Sequence, residues 1–156
     1  WNLSNNKTLV MYKKLMLTMI ISFFIMYLVM FLNITELNHY YTSTTRIYMA
    51  ILMVAPMAVV MILMMGKMYP NKKMNAGIIV ASIAVFILTL AALRTQTPIN
   101  DVQYMKAMIP HHSSAILTSK KANIQDPDVK KLSEEIIKAQ EEEIAEMKAK
   151  IKELEN

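Results

Sequence analysis

Three long runs of apolar residues constrain the fold of this 156-residue chain more than any other feature. The runs lie at about 15–32, 47–65 and 76–93, and they contain no Asp, Glu, Lys or Arg. An α-helix rises about 1.5 Å per residue, so a run of about 20 apolar residues spans the ~30 Å hydrocarbon core of a bilayer. The sequence therefore predicts three transmembrane helices, the second of them kinked at Pro56.

Charged residues are distributed unevenly along the chain, which begins at Trp1 and for which we expect a preceding segment. Residues 1–96 contain eight Lys or Arg and one Glu, whereas residues 97–156 contain nine Lys and eleven Asp or Glu. Six lysines precede the first run or separate the second from the third: Lys7, Lys13, Lys14, Lys67, Lys72 and Lys73. The positive-inside rule then places the N-terminus in the cytoplasm and everything after Arg94 outside it. We expect a multi-pass protein of a bacterial inner membrane, in contact with lipid and without a nucleic-acid partner.

Methionine is unusually abundant, with 16 residues in the chain. On two of the apolar runs it recurs at near-helical spacing, at Met16, Met19, Met26 and Met30 and at Met49, Met53, Met57, Met61, Met64 and Met68. Two such stripes could pack together as a flexible seam, or could pass a soft metal ion between thioethers. Packing is the favoured interpretation, because nothing ionisable lies within these runs to mark a pathway.

The polar tail has the pattern of two amphipathic helices. Thr97 and Pro98 look like the N-cap and first residue of one helix, and Asp126 and Pro127 begin a second that extends to about Leu154. Residues 123–125 form a tight connection between them. We therefore predict an all-α protein, with a membrane domain over residues 1–96 and an outward-facing antiparallel helical hairpin over residues 97–156.

The first tail helix concentrates soft metal donors on one face. At about 100° per residue this face contains Asp101, Tyr104, Met105, Met108, His111, His112, Ala115 and Ile116, with Pro110 opposite. Thioethers favour Cu(I), imidazole also binds copper, and the absence of cysteine excludes thiolate sites. On the facing helix Met147 could complete the coordination, while Gln140 or Glu143 could orient an imidazole through its second nitrogen. The alternative interpretation is that the histidines are polar surface and the methionines are core.

Two segments of the tail resemble a known family. They read DVQYMKAMIPHHSSAI from Asp101 and LSEEIIKAQEEEIAEMK from Leu132, and are similar to domain-of-unknown-function family 305 (DUF305) over roughly the last third of the chain. The resemblance implies a ferritin-like helical bundle, periplasmic copper binding and copper tolerance. It implies metal ligands at Met105, Met108, His111, His112 and Met147, with Asp101, Gln140 and Glu143 as supporting residues. The chain departs from the family pattern at Leu117-Thr118, where relatives usually have a Met, and at Lys150, where they have a Trp.

Two helices alone bury little surface, so we expect the hairpin to complete a four-helix bundle with a second copy of the chain. The alternative is docking onto the loop between the first two spans, where His39 could add a ligand, although an ordinary loop role for His39 is favoured. The expected function is a membrane-anchored protein that sequesters or hands on Cu(I), with Ag(I) as a mimic.

Two other functions are alternatives. The chain could be a copper transporter that uses the methionine stripes, or a metal-independent structural subunit. An enzyme is not expected, because no nucleophile, base and acid set appears. The Glu-x-x-His motif of di-iron bundles is also missing, since Met108 and Ile109 stand three residues before the histidines.

Overall fold

A computed structural model of the protein describes the backbone of residues 2–156 and the side chains of residues 8–156, so Trp1 and the Lys7 side chain lie outside the described part. The five long helices are α1 (Asn2–Val29), α2 (Thr44–Met64), α3 (Lys72–Thr95), α4 (Asp101–Lys121) and α5 (Pro127–Glu155). Two short 3-10 turns occupy Leu37–His39 and Gly66–Met68. No strand occurs in the described residues, which confirms the all-α class.

The first three helices are long and apolar enough to cross a membrane, over Thr8–Val29, Thr44–Met64 and Lys72–Thr95. The three predicted apolar runs are thus helical, and α2 continues through Pro56. Helix α3 begins four residues before its apolar run, because Asn71 caps it: Asn71 Oδ1 accepts a hydrogen bond from Met74 N at 3.1 Å.

Helix α1 ends three residues before the predicted end at Leu32. Beyond Val29 the chain is held by Arg46, whose Nη1 donates to the Met30 carbonyl at 2.6 Å and whose guanidinium carbon lies 4.3 Å from the Phe31 ring centroid. The Phe31 ring also packs against the Tyr40 ring in a tilted arrangement, with 4.1 Å between ring centroids and 36° between the ring planes. These contacts involve Met30 and Phe31 in the loop that follows, which explains why the helix stops before its apolar sequence does.

The chain forms two compact units. The first contains α1 and residues Ile47–Pro98, and the second contains Met30–Arg46 together with Ile99–Asn156. Sequence patterning predicted a single boundary after residue 96, whereas the structure groups residues 30–46 with α4 and α5.

The first unit is closed at one end by an aromatic and apolar cluster of Tyr12, Leu15, Ile62 and Tyr69. The Tyr12 and Tyr69 ring centroids are 5.3 Å apart, and the Tyr12 hydroxyl donates to Asn75 Oδ1 at 2.5 Å. The cluster joins the first half of α1 to the end of α2 and the segment after it, and Asn75 adds the first turn of α3. These parts therefore lie toward the same end of the unit.

The methionine stripes contribute only partly to packing in this unit. Met19 and Met61 pack against the cluster around Tyr12, but Met16 and Met64 are 61% and 80% exposed. The buried positions of α2 are instead Ala50, Ala55, Ala58 and Ile62. Small side chains, mostly alanines, therefore occupy the most buried face of α2. The methionine stripe lies on the neighbouring face, about 100° around the helix.

In the second unit α4 and α5 pack in antiparallel order. Lys106 near the start of α4 pairs with Glu155 at the end of α5, and Lys120 near the end of α4 pairs with Glu141. Between these pairs lies a core of five buried side chains: Met105, Ile109, Ile116, Ile144 and Ile151. Asp126 caps α5 as predicted, with Oδ1 accepting from the backbone N–H groups of Asp128 and Val129 at 2.9 and 3.0 Å.

The predicted start of α4 at Thr97-Pro98 is wrong. The peptide bond between these residues is cis, and the preceding Gln96 has a left-handed backbone conformation with φ 54°. The N-cap is Asn100, whose Oδ1 accepts from Gln103 N at 2.9 Å, so the helix begins at Asp101. Asn is at least as strong an N-cap as Thr, which explains why the later residue begins the helix.

Candidate metal centre

His112 of α4 is buried and faces α5, where its Nε2 lies 2.6 Å from Oε2 of Glu143. A carboxylate can only accept a hydrogen bond, so Nε2 is the donor, and the tautomer with this hydrogen has its lone pair on Nδ1. That Nδ1 is buried and has no hydrogen-bond partner among the described residues. The imidazole is therefore fixed by one nitrogen and has a donor lone pair on the other, as a metal-ligating histidine does.

Gln140 lies one turn before Glu143 on the same face of α5. Its side-chain oxygen Oε1 is also buried without a hydrogen-bond partner in the described part of the chain. Most buried polar atoms in proteins are paired. Two unpaired polar atoms, one at His112 and one at Gln140, thus lie on the facing helices.

His111 occupies a different environment from His112. Its side chain is exposed, and its ring centroid lies 6.0 Å from that of His112 with 63° between the ring planes. Adjacent residues of a helix point about 100° apart, so only one of the two imidazoles faces α5. The structure therefore separates the two predicted histidine ligands into a buried ring and a solvent-facing ring.

Two of the three predicted methionine ligands belong to the core of the second unit. Met105 is buried in that core, and Met147 of α5 packs against it from the facing helix. Met108 is half-buried, one turn before His112. Asp101 is exposed in the first turn of α4. Two thioethers from facing helices thus share one apolar cluster, while Asp101 stands away from it at the helix start.

The sequence patterns missed Ser113, which attaches residues 30–46 to α4. Ser113 is fully buried, and its Oγ lies 2.7 Å from Thr35 N, 2.8 Å from Thr35 Oγ1 and 2.9 Å from His39 Nδ1. A second attachment is made by Gln103 Oε1, which accepts from Thr44 N at 3.0 Å. The docking of this loop, an alternative at the level of sequence, is present in the structure, but His39 bonds to Ser113 rather than joining His112.

Burial lowers the pKa of His39 below its ordinary value. The positive charge of Lys148 lowers this pKa further, and the carboxylate of Glu36 opposes both effects. The ring borders a cavity of about 270 Å³, which is also lined by Lys120 and Glu141. The lowered pKa favours the neutral form of His39, and the cavity beside it is lined by two carboxylates and two ammonium groups.

Donors for a hard metal ion do not converge in the described residues: no group of three or more His, Asp or Glu side chains could hold an ion there. The predicted metal ligands on α4 and α5 are thioethers and imidazoles. This set suits a soft ion such as Cu(I) better than Zn²⁺ or Mg²⁺.

Comparison with known proteins gives a family for this part of the chain. Residues 82–151 match the family described as "Domain of unknown function (DUF305)", a segment that begins within α3 and includes all of α4. A relative, "Uncharacterized protein L153" of Acanthamoeba polyphaga mimivirus, is 40% identical over 106 residues, which are 64% of this chain and 65% of that protein. The match thus spans just under two thirds of the relative, and no solved structure matches the chain. Over residues 82–151 the chain belongs to the DUF305 family.

Proposed function

We propose that this protein is a membrane-anchored copper-binding protein that holds Cu(I) between α4 and α5. The observation that carries the proposal is the buried, unpaired Nδ1 of His112, whose opposite nitrogen is fixed by Glu143 at 2.6 Å. Leaving a buried polar atom unpaired costs about 1–3 kcal/mol. A metal ion on Nδ1 would remove that cost, and a carboxylate on the other nitrogen is the usual outer partner of a metal-bound imidazole.

The thioethers of α4 and α5 determine which metal ion the proposed site would prefer. Met108 lies one helical turn before His112, and Met105 and Met147 contribute sulfur from the core of the second unit. Thioether sulfur binds Cu(I) and Ag(I) in preference to hard divalent ions. In this arrangement the exposed His111 is the ligand that first meets copper delivered from solution or from another protein.

The supporting residues act on the ligands. Glu143 orients His112. The buried Oε1 of Gln140 is available to accept a hydrogen bond from a second polar group of the site. Asp101 lies at the helix start, where a carboxylate stabilises the N-terminus of α4. Its contribution to the site is therefore through the helix that carries Met105 and Met108.

A second copy of the chain would cover the exposed apolar side chains of α4 and α5 and complete a ferritin-like four-helix bundle. Tyr104, Leu132 and Ile136 are 54%, 54% and 37% exposed. Leu132 and Ile136 lie on the face of α5 that also carries Gln140 and Glu143, at successive steps of three or four residues. The proposed metal centre would then lie at the interface between the two copies.

We place the second unit on the non-cytoplasmic side of a membrane and the N-terminus in the cytoplasm. The lysines before α1 and between α2 and α3 support this orientation. One relative is encoded by a virus, so we propose a side of the membrane without assigning it to a particular host.

A competitive Cu(I) titration of the purified full-length protein against a chromophoric chelator tests the function. We expect one tight site, with at least tenfold weaker binding in His112→Ala and in Met108→Leu. Met64→Leu is the matched control, because it makes the same change at an exposed methionine of α2. Wild-type affinity in both site variants, or no Cu(I) binding by the wild type, would refute the proposal.

A further inference from the structure

The first unit is positively charged at one end and contains no acidic residue. Residues 1–29 and 47–98 include no Asp or Glu. Five exposed lysines lie in the first half of α1, after α2 and at the start of α3: Lys13, Lys14, Lys67, Lys72 and Lys73. The hydrogen bond from the Tyr12 hydroxyl to Asn75 brings this part of α1 next to the start of α3, so these lysines lie toward the same end of the unit. Arg94 lies at the opposite end.

An apolar groove begins among these lysines. Leu9, Lys13, Leu17 and Ile20 of α1 and Met74 of α3 line it, and it encloses about 370 Å³. The part of α1 from Lys13 to Ile20 rises ~10 Å along the helix. This is about two thirds of one leaflet of the ~30 Å hydrocarbon core of a bilayer, so the groove extends from the headgroup level into a single leaflet.

We propose that this groove binds one phospholipid with an anionic headgroup. The acyl chain would lie along Leu17 and Ile20, and the headgroup would lie beside Lys13 and Lys73. No carboxylate within the unit can neutralise these ammonium groups, so an anionic lipid is their available counter-charge. A second copy of the unit would bring the same positive charges to this end and is repelled from it.

The charge predicts which lipid is retained. Zwitterionic and anionic phospholipids have the same acyl chains, so an apolar groove alone would not distinguish them. Each lysine near the membrane surface favours an anionic lipid by about fivefold. The site would therefore select phosphatidylglycerol over phosphatidylcholine, independently of copper binding by the second unit.

Native mass spectrometry of the full-length protein, released from nanodiscs with equal amounts of these two lipids, tests the proposal. We expect the protein to retain one phosphatidylglycerol. Lys13→Gln and Lys73→Gln should each reduce its retention by about fivefold. Arg94→Gln removes one positive charge at the other end of the unit and should leave retention unchanged.

A fourth variant tests the groove itself. Ile20→Trp fills part of the groove while keeping every lysine, and it should also reduce retention of phosphatidylglycerol. Equal retention of the two lipids, or an equal loss in Arg94→Gln and Lys13→Gln, would overturn the site. Full retention of phosphatidylglycerol in Ile20→Trp would mean that the lipid is held by diffuse charge attraction and not by the groove. A lipid-free dimer that Ile20→Trp dissociates would mean that a second copy of the chain fills the groove. Either result also overturns the proposal.

Discussion

Glu143 holds His112 by one imidazole nitrogen, with 2.6 Å between Oε2 and Nε2, and leaves the other nitrogen buried without a partner. The Glu143 side chain is about half exposed, whereas the His112 side chain is 10% exposed. An exposed carboxylate thus orients a buried ring. Removing the carboxylate should therefore change the ring's chemistry more than the stability of the unit.

Glu143→Ala should weaken Cu(I) binding by about 10–100-fold, the usual effect of removing the outer partner of a metal-bound histidine. Glu142→Ala provides the control, because it removes the neighbouring exposed carboxylate. Competition with a chromophoric Cu(I) chelator measures both affinities. If both variants lose the same affinity, the contact between Glu143 and His112 does not support the metal centre.

Ser113→Ala should loosen residues 30–46 from α4. The substitution removes the hydroxyl that bonds Thr35 and His39, and leaving such buried groups unpaired costs about 1–3 kcal/mol. Amide hydrogen exchange should therefore become faster in residues 30–46. Ser119→Ala is the control, because it makes the same change at a half-buried serine of α4 that lies beside the connection to α5. Equal exchange in the two variants would contradict this role for Ser113.

His39 should make the second unit less stable in acid. The pKa of His39 is lowered in the folded protein, chiefly by burial and further by the positive charge of Lys148, whereas the carboxylate of Glu36 raises it. Lys120 and Glu141 border the same cavity. The unfolded chain then binds more protons than the folded one as the pH falls through the ordinary pKa of about 6.5. The stability that neutral His39 contributes to the second unit is therefore present above that pH and is lost as the pH falls below it.

Hydrogen exchange of residues 30–46 at pH 7.5 and at pH 5.5, corrected for the intrinsic effect of pH, measures this loss. His39→Gln has no titrating ring, so it should show a smaller difference between the two conditions than the wild type. An equal difference in both proteins would assign the pH dependence to other groups.

Asp126→Ala should destabilise α5 by about 1 kcal/mol, because Asp126 caps the backbone N–H groups of Asp128 and Val129. Gln125→Ala changes the preceding exposed residue and should have little effect. Thermal unfolding monitored by circular dichroism compares the two. A melting temperature that is the same in both variants would exclude a stabilising cap.

Local patterns predicted the helices because each depends on neighbouring residues. The apolar runs and the Asp126-Pro127 start required no knowledge of distant contacts. Thr97-Pro98 fitted the same rule and failed, because a competing cap, Asn100, follows three residues later. A rule for helix starts cannot choose between two adequate caps without the backbone geometry between them.

The candidate site was less predictable, because its geometry depends on distant residues. Helical spacing placed Glu143 opposite the histidines, but a broad face of α4 included both His111 and His112, and only His112 turns toward α5. The role of Ser113 depends on Thr35, 78 residues earlier. Loop residues have no periodicity, so the sequence does not indicate which of them contact α4. The one available signal was Ser113 itself, because a serine buried on a helix requires a polar partner.

The hydrogen bond between Thr35 and Ser113 also constrains the topology of the chain, because it joins two distant parts of the sequence in one unit. The residues between the two parts of the second unit include most of α2 and all of α3, which are long and apolar enough to cross a membrane. If both helices span a bilayer, the polypeptide crosses it twice between the two parts. Both parts then emerge in the same compartment whichever way the protein is inserted. During biosynthesis the earlier part must wait for both intervening helices to be made and inserted, and closure of the second unit is therefore a late event in assembly.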